Sequence, residues 1–412
     1  MIKRITPIFL LLIIAHTTPA QPYKNPNLPI ADRVKDLLSR MTTEEKAAQL
    51  RSTWSARPHI SEKSLADAHV MDSLFGQGIG MINPDFGNNT EQTLRYRTAI
   101  SDYIRTKTRL AIPPIFLDES HHGLMASAIR RLSHVHRLRL LMGYGTGRKS
   151  LYLYRRPGIG PRHIHGPRPR HRRDPRPRWG RTGETFGEDP FLCGLMGSAT
   201  VRGFQGSTDG SIAPNHIAAT LKHFTGHGQS EGGVNQGPTD VPERVLRTFH
   251  MEPFRLAVSR VRPAGIMPAY LEIDGIPCHA NRWLLKDVLR KEWGYKGVLV
   301  SDWWAIDQLF QKHHIAPDRK TAARMALDAG VTVDLPMGAN YTLLPSPGQR
   351  RGHPHQSPRL GHGPRPHPEI QTRALRPKTR IFHGQSPDPY RPTRRPGPRV
   401  TGGGGVHGAP QK

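Results

Sequence analysis

The sequence predicts an α/β fold made of repeated strand and helix units. Short apolar runs alternate along the chain with amphipathic stretches, a pattern typical of βα repeats around a parallel sheet. Several apolar runs end in polar residues, and the stretches between them carry helix capping signals. The 412 residues are enough for one large domain or for two to three ordinary ones.

The predicted elements follow one another in the order that βα repeats require. The strands are expected at residues 78–82, 114–117, 218–223, 264–269, 297–301 and 330–335. The helices are expected at residues 31–40, 242–258, 281–293 and 319–329, with another beginning in TTEEKAAQL. There, Thr42 and Glu45 have the spacing of a capping box. Gly294 is placed to end the helix at 281–293.

Residues 1–20 are predicted to be a secretory signal peptide. A basic start (Lys3, Arg4) precedes an apolar run at 8–15, and small residues lead to a cleavage point after Ala20. The alternative is a membrane anchor, but the run is shorter than the roughly 20 residues that cross a bilayer. We therefore expect a periplasmic or extracellular protein of bacterial type, without a membrane span once the signal is removed.

Two cysteines, Cys193 and Cys278, are too few for a disulfide scaffold or a cysteine-rich metal site. The histidines in the well-patterned parts of the chain lack the spacings of a zinc site. We expect no metal and no cofactor.

The formal net charge of +28 is concentrated in two stretches. Residues 130–178 hold 14 Arg and one Lys against one Asp, and residues 346–412 hold 11 Arg and two Lys against one Glu and one Asp. The remaining sequence is nearly balanced. The overall charge is therefore weak evidence for a nucleic-acid partner, and none is expected.

These basic segments, 129–177 and 346–412, are rich in Arg, Pro, His and Gly and show neither helical nor strand periodicity. They are predicted to be disordered, because they cannot bury enough apolar surface to offset the entropy of ordering. We interpret them as the product of a reading-frame error. Two alternatives stay open: basic disordered arms for nucleic acid or anionic surfaces, and solvated loops of a normal domain.

Polar and aromatic residues collect where predicted strands end. In a parallel βα barrel these ends meet on one face, where reactive groups gather. Carboxylates, a lysine and a histidine can hydrogen-bond hydroxyl groups while aromatic faces pack against a sugar ring. The pattern therefore favours a carbohydrate site, and its members are Asp118, Glu119, His121, His122, Lys222, His223, Tyr270 and Asp302.

Each of these residues taken alone has an ordinary structural explanation. Lys222 and His223 could be a solvated strand end, Tyr270 a core aromatic, Glu119 a surface acid and Asp302 the N-cap of a following helix. Their joint recurrence at the ends of successive strands is what favours a site.

Four longer stretches carry a family resemblance. They are IPPIFLDESHHGL (112–124), PRWGRTGETFGEDPFL (177–192), LKHFTGHGQSEGGVNQGPTDVPERVLRTFHMEPF (221–254) and GIMPAYLEIDGIPCHANRWLLKDVLRKEWGYKGVLVSDWWAI (265–306). They resemble glycoside hydrolase family 3, of the β-glucosidase and β-xylosidase type. The resemblance implies a (β/α)8 TIM-type barrel at residues 22–345, here incomplete, with two basic disordered segments. It also implies retaining hydrolysis of terminal β-linked glucosyl or xylosyl residues in an oligosaccharide or β-glycoside substrate.

The resemblance also assigns roles to residues. Asp302 would be the nucleophile, because a retaining glycosidase needs an ionised carboxylate below the anomeric carbon. Lys222 and Arg178 would help to keep it ionised. The residues expected to bind or line the sugar site are Glu119, Arg178, Lys222, His223, Met267, Tyr270 and Trp303.

The family normally takes its acid/base glutamate from a domain after the barrel, and the stretch after Leu344 does not resemble that domain. We therefore expect little or no glycosidase activity from this polypeptide. A β-N-acetylglucosaminidase with His227 as proton donor is one alternative. Another is a noncatalytic protein that binds carbohydrate in the cleft or polyanions through the arginine-rich arms.

Overall fold

A computed structural model describes residues 21–54, 67–84, 90–119, 160–163 and 179–344. These residues lie within one unit, Met1–Arg350. The predicted signal peptide, the tail at 346–412 and most of the segment 129–177 lie outside the described residues.

The first parallel sheet contains three strands in the order β1-β2-β3. Its strands are β1 (Ser52–Trp54), β2 (Met81–Asn83) and β3 (Ile115–Phe116). Ser52 pairs with Met81, and Met81 pairs with Ile115. The predictions of strands at 78–82 and 114–117 are thus confirmed with shorter bounds, whereas β1 was not predicted.

The second parallel sheet contains four strands in the order β4-β5-β6-β9. Its strands are β4 (Gly160–His163), β5 (Ala219–Phe224), β6 (Gly265–Pro268) and β9 (Val298–Leu299). A separate antiparallel hairpin is formed by β7 (Glu272–Ile273) and β8 (Ile276–Pro277). In β5, all six residues are buried. This is expected of a parallel strand that is covered on both faces.

The predicted strand at 330–335 is wrong: this segment makes only isolated parallel bridges, Val300 to Val333 and Arg51 to Asp334. The Thr332 side chain takes hydrogen bonds that a continuous strand would make through its backbone. Its Oγ1 accepts from Leu299 N at 3.2 Å and donates to Leu299 O at 2.9 Å. Across the described ranges, the two sheets are short and are not joined into a closed barrel. The structure there is a mixed α/β fold with parallel strands.

Eight α-helices of at least seven residues surround the sheets in the described part of the chain. They are Ile30–Arg40, Thr43–Gln49, Ala68–Phe75, Thr90–Lys107, Pro190–Gln205, Glu252–Val261, Ala305–Gln311 and Arg319–Ala329. The prediction of a helix at 319–329 is confirmed at both ends. Within the described ranges, none of the helices has the length and apolar character needed to cross a membrane.

The predicted helix at 242–258 is interrupted. A short turn, Glu243–Val245, is followed by the π-helical segment Leu246–Met251 and then by the α-helix Glu252–Val261. The reason is Pro253, which lacks an N–H donor and whose ring would clash with the carbonyl of Phe249 in a regular helix.

The predicted helix at 281–293 is also of the wider type and spans Trp283–Glu292. Trp293 N donates to Val288 O, five residues back, at 3.0 Å. Gly294 follows with a φ of 66°, as predicted for a terminating glycine.

Apolar side chains from both sheets meet in one buried cluster. It contains Met81, Leu117, Met267, Val300, Val333 and Leu335, with Trp303 packed against it. A larger cluster fills the space between the second sheet and its helices. There, the helix Pro190–Gln205 approaches Glu252–Val261 closely at Gly194, where an added Cβ would lie 2.6 Å from Leu256 Cδ1. The smaller cluster, which contains Met81 and Met267 and is called the inner cluster below, places the strand ends around a common centre.

The capping box predicted at Thr42 and Glu45 is confirmed. Thr42 Oγ1 accepts from Glu45 N at 3.2 Å, and Thr42 N donates to Glu45 Oε2 at 2.8 Å.

We expect Thr42→Ala to lower the free energy of unfolding by about 1 kcal/mol, measured by urea denaturation. The exposed neighbour Thr43 is the matched control, and Thr43→Ala should change it by less than about 0.5 kcal/mol. Equal losses for the two variants would contradict the capping role.

Candidate active site

Asp302 follows the second sheet directly, three residues after β9, and is 6% exposed. Its Oδ1 accepts from Trp303 N at 2.8 Å. Its Oδ2 lies 3.3 Å from His223 Nε2. The next helix begins at Ala305 and is not capped by a side chain, so Asp302 is not its N-cap. The carboxylate is therefore held through one oxygen while the other faces the ends of the neighbouring strands.

Two opposing effects set the pKa of Asp302. Burial removes the carboxylate from water and raises its pKa above the usual value of 3.8. The charges of Lys222 and Arg181, the Trp303 N–H group and the Tyr270 hydroxyl act in the other direction. The net result is a raised pKa of Asp302, and the charges of Lys222 and Arg181 limit that rise.

Lys222 and Glu119 form a buried ion pair at the ends of β5 and β3. Lys222 Nζ lies 3.2 Å from Glu119 Oε1 and 3.1 Å from Oε2, and both side chains are almost entirely buried. Neither residue has the solvated position that a strand end alone would give. This pair joins the first sheet to the second at the level of the site.

Arg181 organises the same region and was not predicted as a site residue. Its guanidinium binds Glu184 at 2.9 Å and Asn235 Oδ1 at 3.1 Å. Its Nη2 also lies 3.3 Å from His223 Nε2. Arg178 of the PRWGR motif, the arginine predicted to bind the sugar, lies outside the described residues. The signal for Arg181 was present in the same motif, as the second arginine with Glu184 three residues later.

His227 lies beside His223, with the two rings stacked at a centroid distance of 4.2 Å. Its Nε2 is 2.8 Å from Arg181 Nη1. Because a guanidinium can only donate, this nitrogen must accept the hydrogen bond. His227 Nε2 therefore carries no proton to deliver to a leaving group in this arrangement.

The remaining predicted site residues within the described ranges are Tyr270, Trp303 and Met267. Tyr270 Oη donates to Trp303 O at 3.0 Å, and burial together with the nearby Asp302 carboxylate raises the pKa of Tyr270 above 10. Trp303 is partly buried, and Met267 is 1% exposed within the inner cluster. Their roles in lining a sugar site stay predictions.

His279 is a second residue that the sequence analysis missed. It is 2% exposed, and its Nε2 accepts from the backbone N of Asp302 at 3.0 Å. Its place in the PCHAN stretch, after the β7–β8 hairpin, gave no sign that it would reach Asp302. Within the described ranges, no group of three or more His, Cys, Asp or Glu side chains is placed to hold a metal ion.

The multiple hydrogen bonds of Arg181 lead to a prediction for Arg181→Lys. Lysine keeps the charge but loses the planar fork, so it cannot bind Glu184, Asn235 and His227 together. We expect Arg181→Lys to lower the free energy of unfolding by about 1–3 kcal/mol, measured by urea denaturation. Arg202→Lys, on an exposed helix position, is the matched control and should change the free energy of unfolding by less than about 0.5 kcal/mol.

A parallel α/β scaffold that brings together a buried carboxylate, two cations and aromatic groups can bind a ligand that carries hydroxyl groups. The family model for the glycosyl hydrolase family 3 N terminal domain matches residues 174–346. This part of the chain therefore belongs to that domain type of glycosyl hydrolase family 3.

Relatives of known name support this membership. A β-xylosidase from Formosa agariphila is 43% identical over 324 residues, which cover 79% of this chain and 39% of the relative. A periplasmic β-glucosidase from Salmonella typhimurium is 33% identical over 315 residues, with 76% and 38% covered. The chain thus spans about two fifths of the length of these curated relatives.

Solved structures agree with the fold. A β-glucosidase from Erythrobacter marinus matches with a TM-score of 0.68 at 29% identity, covering 79% of this chain and 43% of that one. A β-glucosidase from Listeria innocua in complex with glucose matches with a TM-score of 0.60 at 26% identity, covering 76% and 42%.

Proposed function

We propose that this chain forms the sugar-binding, nucleophile-bearing part of a retaining β-glycosidase that acts on terminal β-linked glucosyl or xylosyl residues. The single observation that carries the proposal is the environment of Asp302: a buried carboxylate fixed through Oδ1, with Oδ2 turned toward His223. Lys222, Glu119 and Arg181 surround it with groups that hydrogen-bond hydroxyls.

We also propose that the strands form an incomplete (β/α)8-type barrel over residues 22–345. The strands of the two larger sheets are parallel, and isolated bridges lead from β9 through Val333 and Asp334 to Arg51 beside β1. Side chains of both sheets share the inner cluster with Met267 and Val300. Within the described residues, β3 and β4 are not paired with each other, and the segment between them at 120–159 lies outside those residues.

In the proposed reaction Asp302 Oδ2 attacks the anomeric carbon and the bond to the leaving oxygen breaks, which gives a glycosyl ester. Water then attacks the same carbon, releases the sugar and restores the carboxylate. Glu119 is ion-paired with Lys222 and is not assigned as the proton donor. Leaving groups that depart as stable anions need no such donor, whereas ordinary glycosides lose roughly 10²- to 10⁴-fold without one.

The proposal is tested with 2,4-dinitrophenyl β-glucoside, β-xyloside and β-N-acetylglucosaminide, whose leaving group departs unprotonated. We expect release of dinitrophenolate from the glucoside or the xyloside and much less from the N-acetylglucosaminide. The His227 geometry argues against a histidine proton donor of the N-acetylglucosaminidase type, and a phenyl β-N-acetylglucosaminide tests this separately because its leaving group needs a proton. Release from none of the three would contradict the proposal, and retention on a heparin column that collapses with salt would favour the polyanion-binding alternative.

The pH dependence of dinitrophenolate release has a defined direction. Only the ionised Asp302 is a nucleophile, and its pKa lies above 3.8. The rate should therefore fall as the pH is lowered, and the midpoint of the fall should lie above pH 3.8. A rate that stays constant down to pH 3.8 would exclude Asp302 as the titrating group.

We propose a periplasmic or secreted location, in keeping with the periplasmic β-glucosidase among the relatives. Fractionation of cells that express the full chain tests this. Recovery in the cytoplasm alone would contradict it.

A further inference from the structure

His279 contacts the main chain of Asp302, not its carboxylate. Its Nε2 lies 3.0 Å from Asp302 N. His279 belongs to the turn Cys278–Ala280, which follows the β7–β8 hairpin and is buried. The contact therefore links the turn after the β7–β8 hairpin to Asp302, which follows β9.

The direction of this hydrogen bond fixes the state of the imidazole. A backbone N–H can only donate, so Nε2 must offer its lone pair. The other side of the ring makes a hydrogen bond with the backbone of Ala269. Burial, reinforced by the neighbouring His313, lowers the pKa of His279 to about 3, so the ring is neutral at ordinary pH.

These two contacts connect the strand ends that carry the site. Ala269 precedes Tyr270, whose hydroxyl donates to Trp303 O at 3.0 Å. Asp302 precedes Trp303, whose N–H holds Asp302 Oδ1 at 2.8 Å. A single neutral imidazole thus lies between the backbones of the tyrosine segment and the carboxylate segment, and it bonds to both.

We propose that His279 is a positioning residue for the reaction: its Nε2 lone pair holds the Asp302 backbone so that Oδ2 points at the anomeric carbon. This inference rests on the proposed function, in which Asp302 is the nucleophile. His279 does not touch the sugar. Its loss should therefore slow the attack without weakening sugar binding, because small errors in the placement of a reacting group cost rate steeply.

Two substitutions separate positioning from packing. His279→Gln places an amide oxygen where Nε2 lies and keeps an acceptor for Asp302 N–H, but loses the bond to Ala269. His279→Asn places an amide where Nδ1 lies and keeps a donor for Ala269, but leaves Asp302 N–H without its acceptor. The two variants have similar polarity and differ in which of the two contacts survives.

The probe is 2,4-dinitrophenyl 2-deoxy-2-fluoro-β-glucoside or the matching xyloside, whichever labels the unmodified chain. The first-order rate constant at saturation and the inhibitor constant Ki are measured from the dinitrophenolate burst. A first-order constant does not depend on the amount of folded protein, so a less stable variant still gives a valid result. For His279→Asn we expect the rate constant to fall on the order of 10- to 100-fold with Ki within about twofold. For His279→Gln we expect values near those of the unmodified chain.

Three results would overturn the inference. They are equal rate constants for both variants and the unmodified chain, a larger loss for His279→Gln than for His279→Asn, and a change confined to Ki. Failure of both variants to fold would also overturn it in favour of a packing role. A His279→Asn chain that binds isofagomine but takes no label would support it. If the unmodified chain is not labelled on Asp302, the proposed function fails first, and the inference fails with it.

Discussion

Replacing Asp302 with alanine is expected to abolish covalent labelling and to remove the release of dinitrophenolate. The carboxylate is buried, fixed through Oδ1 by Trp303 N, and it is the group that forms the glycosyl ester in the proposed reaction. Loss of a covalent nucleophile costs on the order of 10⁴- to 10⁶-fold in turnover. The measurement is the dinitrophenolate burst at a matched concentration of folded protein.

The control for this change is Asp328→Ala, which removes an exposed carboxylate from the helix Arg319–Ala329. It should leave the burst unchanged. Added azide provides a second check, because it can enter the space left in Asp302→Ala and attack the anomeric carbon from the same face. The product is then the α-glycosyl azide, with dinitrophenolate as the leaving group. A normal burst from Asp302→Ala, or β-glycosyl azide as the product, would contradict the assignment.

Replacing Lys222 with methionine is expected to lower the free energy of unfolding by about 3–5 kcal/mol, because it leaves Glu119 buried without its cationic partner. The substitution also removes a positive charge that lowers the pKa of Asp302. The fall of the labelling rate in acid should therefore move to higher pH. Urea denaturation and the pH profile of labelling measure the two effects separately.

An exposed ion pair gives the matched control for Lys222→Met. Lys291 lies 2.7 Å from Asp287 Oδ1, with 77% of the lysine side chain exposed. Lys291→Met should cost less than about 1 kcal/mol. Removing both charges of the buried pair, in Lys222→Met with Glu119→Leu, should recover part of the lost stability. Equal losses for Lys222→Met and Lys291→Met would mean that the pair does not have the buried environment described for it.

The parts of the fold that were predictable are those in which local sequence chemistry decides the structure. The capping box at Thr42 and the helix Arg319–Ala329 depend on short-range signals, and both are confirmed. The buried strand β5 is an apolar run in which Lys222 and His223 follow Leu221. The helix Pro190–Gln205 was missed although Asp189 and Gly206 cap it, because its apolar residues do not form a single stripe.

The parts that were not predictable depend on contacts between distant segments. The wide helical turn at Leu246–Met251 could have been anticipated from Pro253, but its exact type depends on packing. The segment around Val333 was predicted to be a strand from its apolar pattern. It makes single bridges because Thr332 bonds to Leu299 through its side chain.

The residues of the candidate site also divide into those that were predictable from local sequence and those that were not. Asp302, Lys222, His223, Tyr270 and Glu119 were predicted because each follows or ends an apolar run, and the structure places them near one another, although their roles stay predictions. Arg181 and His279 were missed because their importance lies in the partners they reach, 42 residues away at His223 and 23 residues away at Asp302. No local pattern reports such partners.

The central claim is that the oxygen of Asp302 forms the bond to the sugar. Labelling with the fluoroglycoside, tryptic digestion and fragmentation of the peptide at residues 297–312 test it most directly, since this peptide contains both Asp302 and Asp307. We predict one sugar per chain, attached to Asp302. Label on Asp307, on another peptide, or on no residue of a chain that still releases dinitrophenolate would contradict it.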